Sequence, residues 1–198
     1  MRTYIAMTNV KGYLTIEQMN SLIGAAKTPR DKLLIHLLSR TGRRVGELVQ
    51  LRHRDIMFKD KAIVWHIEKK GEDATAMIPQ DQETLNMLEK YIKTFNIRPE
   101  DYVFCTSRIK DKHLTTRRVF DIVRRYGRIT GITHIGEETL HPHHFRHGFA
   151  IHFVKHMSRA DQIFQLREIM QHSDIRMTMW YLDHFGASET REMMDKLF

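Results

Sequence analysis

The strongest constraint on how this chain folds is the isolation of its β-like segment. Only Lys61–Glu68 (KAIVWHIE) has the β-branched and aromatic density of a strand, and apolar residues elsewhere recur at helical spacing. Lys70-Gly71-Glu72-Asp73 supplies a turn after it, and Ala74–Pro79 returns as a second strand. Around this hairpin, Thr15 with Gln18 three residues on forms a capping box ahead of Ile16, Met19, Leu22 and Ile23. Pro29 to Asp31 opens a second helix bearing Leu33, Leu34, Leu37 and Leu38, which Gly42 ends. A short third helix carries Val45, Leu48 and Val49. Further stripes follow at Leu85, Leu88 and Ile92, and at Val119, Ile122, Val123 and Tyr126. A helix from near Pro142 includes Phe145, Phe149 and His152. Ser158 caps the next, which holds Ile163, Leu166, Ile169 and Met170, and Ser188–Phe198 reads as an amphipathic tail. The fold class expected is mostly α with a small antiparallel β-sheet. No repeat or linker divides the 198 residues, so one domain over 1–198 is expected, with 1–11 an extension and 185–198 a tail helix.

Charge narrows the class of partner. A net charge of +8, uncounted among which are 13 histidines, favours a polyanion such as nucleic acid, because neutralised phosphates release counterions. No apolar run approaches the roughly 20 residues that span a bilayer, and nothing at the start reads as a signal peptide. A single cysteine, Cys105, cannot form an internal disulfide, so a cytoplasmic setting without membrane association is expected.

Four local patterns carry possible chemistry, and each has a plainer reading. On a helix, His143 and Arg146 share a face and can address one ligand; a solvated face produces the same spacing. His143 and His147 stand at i, i+4, which can seat a metal. Against that, no HExxH glutamate intervenes, Cys105 lacks a cysteine partner and Arg146 sets a fixed charge beside the site. No metal is expected, and His141, His144 and His147 read as capping and surface residues. Arg44 starts a short helix whose N–H groups favour an anion, with Glu47 one turn on to hold its guanidinium; a surface ion pair is the alternative. Lys69 and Lys70 sit at the hairpin tip, where a lysine is usually just exposed. Tyr181 is not distinguished locally from Tyr13, Tyr91 or Tyr126.

In order, however, the motifs resemble the catalytic domain of the tyrosine recombinases, the phage-integrase and Xer-type family. They are TGxRxxEL at Thr41–Leu48, Lys70-Gly71 in the hairpin, PHxxRH at Pro142–His147 and QHxxxxxTxxY at Gln171–Tyr181, and the resemblance runs from about Tyr13 to His184. It implies a recombinase that cleaves and rejoins double-stranded DNA through a 3′-phosphotyrosyl bond, with no cofactor, metal or ATP. Tyr181 would attack; Arg44, Arg146 and His172 would hold the phosphate; His143 would assist proton transfer at Tyr181; Lys70 would protonate the 5′-oxygen; and Glu47 would orient Arg44. The helix starting at Thr115-Thr116-Arg117-Arg118 lies where relatives touch DNA, so Arg117 and Arg118 are expected contacts, with a solvated basic face as the alternative. Relatives further imply a tetramer on DNA, joined through the tail, at the nucleoid. The N-terminal helical domain of many members is not expected here, because 1–11 is too short for it; a minimal recombinase or a fragment of a longer protein would both account for this. Type IB topoisomerase chemistry and a non-catalytic DNA-binding module are the competing readings. Four positions depart from the family pattern: Arg43 replaces an aliphatic residue, Gln171 a glycine and Gly148 a small hydroxyl residue, while Lys69 rivals Lys70.

Overall fold

A computed structural model describes residues 12–69, 72–106, 109–157, 159 and 161–181. Seven helices occur among these: α1 (Ile16–Ala25), α2 (Pro29–Thr41), α3 (Val45–Val49), α4 (Gln82–Phe95), α5 (Thr116–Thr130), α6 (Pro142–Lys155) and α7 (Gln162–Met170). Residues 175–181 are helical as well. Strands β1 (Ile56–Met57), β2 (Ala62–Lys69) and β3 (Glu72–Pro79) form one antiparallel sheet in that order. Two short ladders, β4 (Cys105–Thr106) with β5 (Ile109–His113) and β6 (His134–Ile135) with β7 (Glu138–Thr139), add to the single hairpin that the sequence predicts.

The expected helices form for the expected reasons. Thr15 and Gln18 exchange side-chain and backbone hydrogen bonds at the start of α1, and Thr28 Oγ1 accepts from Asp31 N before Pro29 enters α2. Two boundaries need correction. The hairpin turn is shorter than 70–73, because Glu68 pairs with Asp73 and Lys69 with Glu72, carrying the ladder to the tip. Helix α7 starts at Gln162 after Asp161, three residues past the expected cap; Ser158 itself lies outside the described residues, as do 1–11 and the tail helix.

Two apolar clusters organise the molecule. The larger draws on α1–α5, the sheet and Phe145 of α6. The smaller joins Ala150, Ile151 and Val154 of α6 to Ile163, Leu166 and Met170 of α7, and the ring of Tyr181 packs into it. Helix α6 therefore belongs to both, with its N-terminal half in one and its C-terminal half in the other. Gly148 lies where α6 crosses Leu14 and Met19: a Cβ there would stand 2.2 Å from Met19 Cε and 2.7 Å from Leu14 O. The departure to glycine at 148 thus buys close helix–chain contact at the junction between the clusters.

Helix α5 is tied to α2 by a buried carboxylate. Asp31, fully buried, accepts from Arg30 Nε at 3.1 Å, Arg125 Nη2 at 2.6 Å and Tyr126 Oη at 3.0 Å. Removing one member of such a group leaves the others desolvated without a partner. Asp31→Ala is expected to lower the unfolding free energy by about 3 kcal/mol in urea titrations. Glu89→Ala, which breaks the exposed Lys93–Glu89 pair, should change it by less than about 1 kcal/mol.

Candidate active site

The α2–α3 connection separates the two adjacent arginines. Gly42 ends α2 in the left-handed conformation (φ 60°), and a Cβ on it would meet Phe149 Cδ1 at 2.5 Å. The chain leaves this tight corner so that Arg43 points inward and Arg44 outward. Arg43 is fully buried, its guanidinium 5.9 Å from the Trp65 ring centroid and 3.6 Å from a Glu47 oxygen. Arg44 keeps 42% of its side chain exposed and donates to the other Glu47 oxygen at 2.9 Å. Glu47 also accepts from the backbone N–H of Arg44 at 3.2 Å, so one buried carboxylate caps α3 and serves two guanidiniums. Burial lowers the Arg43 pKa to about 10, opposed by Glu47 and reinforced by Arg44. The group stays charged at neutral pH.

Arg146 projects from the middle of α6 and is buried. It donates from Nη1 to Gly42 O and from Nη2 to Met170 O, both at 2.6 Å. Those carbonyls close the C-terminal ends of α2 and α7, where partial negative charge accumulates and a cation is favoured. Burial, followed by the nearby Arg44 and Arg43, brings its pKa down to about 10.

After α7 the chain turns at Gln171 with φ 52°. A non-glycine residue is strained there, which explains physically why a glycine is common at this position among the recombinases. The turn delivers His172, which is buried with Nδ1 2.9 Å from Thr178 Oγ1. Burial and then Arg146, Arg44 and Arg43 lower its pKa to about 4, so the ring is neutral near pH 7. Its plane lies within 8° of the Tyr181 ring, with centroids 6.3 Å apart.

Arg44, Arg146, His172 and Tyr181 line one cleft of about 600 Å³ together with His143, as the motif order predicts. Two further cleft residues, His147 and Arg176, were not singled out as site residues from the sequence. Tyr181 Oη lies 3.0 Å from His147 Nδ1, within hydrogen-bond reach, whereas the family resemblance implied His143 as the partner in proton transfer. The i, i+4 spacing of His143 and His147 was the available signal, and it was weighed only for metal binding. Their rings meet edge-on at 4.5 Å. Burial raises the Tyr181 pKa and Arg146 works against that shift. Lys70 and the side chain of Lys69 lie outside the described residues. Arg117 and Arg118 are exposed at the start of α5, away from the cleft; Arg117 faces Asp121 at 3.6 Å, and Arg118 borders a groove with Arg124 and Arg128.

His141 and His144 cap α6, as expected, His141 Nδ1 accepting from His143 N and His144 Nδ1 from His141 N, each at 3.2 Å, although His144 is buried and so not on the surface. The Nε2 atoms of both approach Glu138 Oε2, at 3.3 and 3.4 Å, in a group whose ligand atoms lie close enough to hold a metal ion. However, Nδ1 of each ring accepts a backbone N–H, from His143 N and His141 N. With Nδ1 accepting, each ring carries its proton on Nε2 and directs it to Glu138. This arrangement clamps a carboxylate and ties β7 to α6; the lone pairs a metal needs are already in use.

The Phage integrase family model matches residues 12–187. A tyrosine recombinase of Pseudothermotoga lettingae is 34% identical over 171 residues, which is 86% of this chain and 55% of that protein. The tyrosine recombinase XerA of Pyrococcus horikoshii is 31% identical over 185 residues, covering 92% of this chain and 60% of the relative. The chain thus spans little more than half the length of these relatives. Among solved structures, that of XerA recombinase superposes with a TM-score of 0.74 at 24% identity, covering 93% of this chain and 64% of that one. The Tn1549 transposon integrase in complex with transposon right end DNA gives 0.69 at 20% identity, covering 95% and 67%. These likenesses establish the fold. Among the described residues, no helix is long and apolar enough to cross a membrane.

The two buried histidines make stability depend on pH. His144 and His172 have folded pKa values of about 4 against an ordinary 6.5, so between those values the unfolded chain binds more protons. Their contribution is complete above pH 6.5 and is lost as pH falls toward 4. Thermal midpoints should decline across that window, and His172→Gln should flatten the slope.

Proposed function

Since the chain belongs to the phage integrase family, we propose that it is the catalytic domain of a site-specific recombinase that cuts and rejoins DNA strands through a phosphotyrosine at Tyr181. One observation carries this reading. The Tyr181 hydroxyl opens into a cleft lined by Arg44, Arg146, Arg176 and three histidines, with no acidic side chain among its described lining residues. Such a cleft suits a phosphodiester anion and the further negative charge of its pentacoordinate transition state.

The geometry supports the following roles for the described residues, and the family resemblance adds that of Lys70. Arg44, held by Glu47 yet half exposed, reaches one non-bridging oxygen. Arg146, fixed by its two carbonyl contacts, supplies a preorganised charge to the other. With the Thr178 hydroxyl donating to His172 Nδ1, the ring proton sits on Nε2, and neutral His172 donates a further hydrogen bond. Tyr181 attacks phosphorus, and Lys70 at the hairpin tip protonates the departing 5′-oxygen. The phosphotyrosyl ester retains the free energy of the broken bond, so rejoining needs no ATP, and fixed cations fill the charge-stabilising role that Mg²⁺ has elsewhere. Duplex DNA is the substrate, with Arg117 and Arg118 as backbone contacts and a tetramer, joined through the tail, as the working assembly.

The test is covalent trapping on singly nicked duplexes, read on denaturing gels. The unchanged chain should form a denaturant-stable adduct that survives chelator, Tyr181→Phe should form none, and Arg44→Ala should slow its formation by about 100-fold or more. An adduct that persists in Tyr181→Phe would overturn the assignment.

A further inference from the structure

A buried phenol cannot attack phosphorus at neutral pH without shedding its proton, and the acceptor has to lie within hydrogen-bond reach. The cleft offers three imidazoles. His172 lies parallel to the Tyr181 ring and engages Thr178 through Nδ1, a stacked geometry poorly directed for taking the phenolic proton. His143 is exposed, one helical turn before His147, and its ring abuts the edge of the His147 ring. His147 is half-buried, and its Nδ1 is 3.0 Å from Tyr181 Oη. Its ring also approaches Trp180, with centroids 6.0 Å apart. The rings of His143, Trp180 and Tyr181 thus all lie close to this imidazole.

Building on the recombinase reading, we propose that His147 is a catalytic residue, the general base that takes the Tyr181 proton at Nδ1 as Oη bonds to phosphorus. The Oη–P bond forms while the P–O5′ bond breaks, its electron pair leaving with the 5′-oxygen, which the leaving-group acid protonates. On rejoining, the deprotonated leaving-group acid takes the proton of the 5′-hydroxyl as its oxygen bonds to phosphorus, the Oη–P bond breaks with its electron pair on Oη, and the His147 imidazolium returns its proton there. The charged and titratable groups that share the cleft with it are Arg146 and His143 on its own helix, Arg44 from the α2–α3 connection, and His172 and Arg176 beyond α7. Arg176 is also paired with Asp174, which moderates its field. His143 is then left to the phosphate side of the cleft.

His147→Asn separates chemistry from packing, because the Asn carbonyl can accept the Tyr181 hydrogen bond but cannot take up the proton. Single-turnover trapping would use a pool of singly nicked duplexes with a randomised centre, and the same pool with sulfur as the bridging 5′-atom. A thiolate leaves without a proton, so the sulfur substrate relieves loss of the acid but not loss of the base. His147→Asn should slow trapping by about 100-fold or more on both pools. It should also lose the acidic limb of the pH–rate profile, with its circular dichroism unchanged. Recovery on the sulfur pool would place His147 on the leaving-group side and overturn the proposal. So would a wild-type rate in His147→Asn alongside a collapsed rate in His143→Asn. If the unchanged chain traps no duplex from either pool, the recombinase reading fails and this assignment fails with it; trapping that is indifferent to His147→Asn overturns this assignment alone.

Discussion

The Arg146 guanidinium closes the structure around the cleft. From the middle of α6 it bonds the last carbonyls of α2 and α7, helices that would otherwise end in a buried region with unpaired acceptors. A neutral side chain of similar length could supply some of these bonds, but a cation also answers the negative ends of two helix dipoles. The same contacts fix Gly42 next to Phe149, set the exit direction of α3, and bring the turn at Gln171 beneath the cleft. Through those constraints Arg44, His172 and Tyr181 come within reach of one phosphate-sized ligand.

Concentrating charge in this way is electrostatically expensive. Arg44 lowers the proton affinity of Arg43, and both lower that of Arg146 after burial has done so, while Glu47 is the carboxylate that meets Arg43 and Arg44 directly. Arg43 occupies a position where an aliphatic residue would meet the core without desolvating a charge. Its guanidinium lies against Trp65 and Glu47, so its charge stands behind the carboxylate that orients Arg44. A resting site of this kind is preorganised for an anion, and unfavourable without one.

The departures from the family pattern have separate physical origins. Gly148 removes a side chain where α6 meets Leu14 and Met19. Gln171 keeps a left-handed φ that glycine would adopt without strain, and its own Nε2 bonds Glu168 O at 2.6 Å in partial compensation. The histidines of the Pro142 helix divide by face: His141 and His144 grip Glu138, while His143 and His147 face the cleft.

Helix positions, the hairpin and five residues that line the cleft were legible in the sequence, because they depend on apolar spacing, caps, turn residues and motif order. The choice of Tyr181 among six tyrosines also came from order, through its distance from His172 and the upstream arginines. Other features needed the tertiary structure. Arg43 and Arg44 are adjacent and chemically identical, and only the corner at Gly42, packed on Phe149, sends one into the core and the other into the cleft. His143 and His147 share a helix face, and only the docking of residues 175–181 against α6 sets His147 beside the Tyr181 hydroxyl. Sequence determined most of the charged groups that the cleft contains, since these are written in residue type and spacing. Packing decided which of two like neighbours touches which partner, since that depends on how separate elements cross.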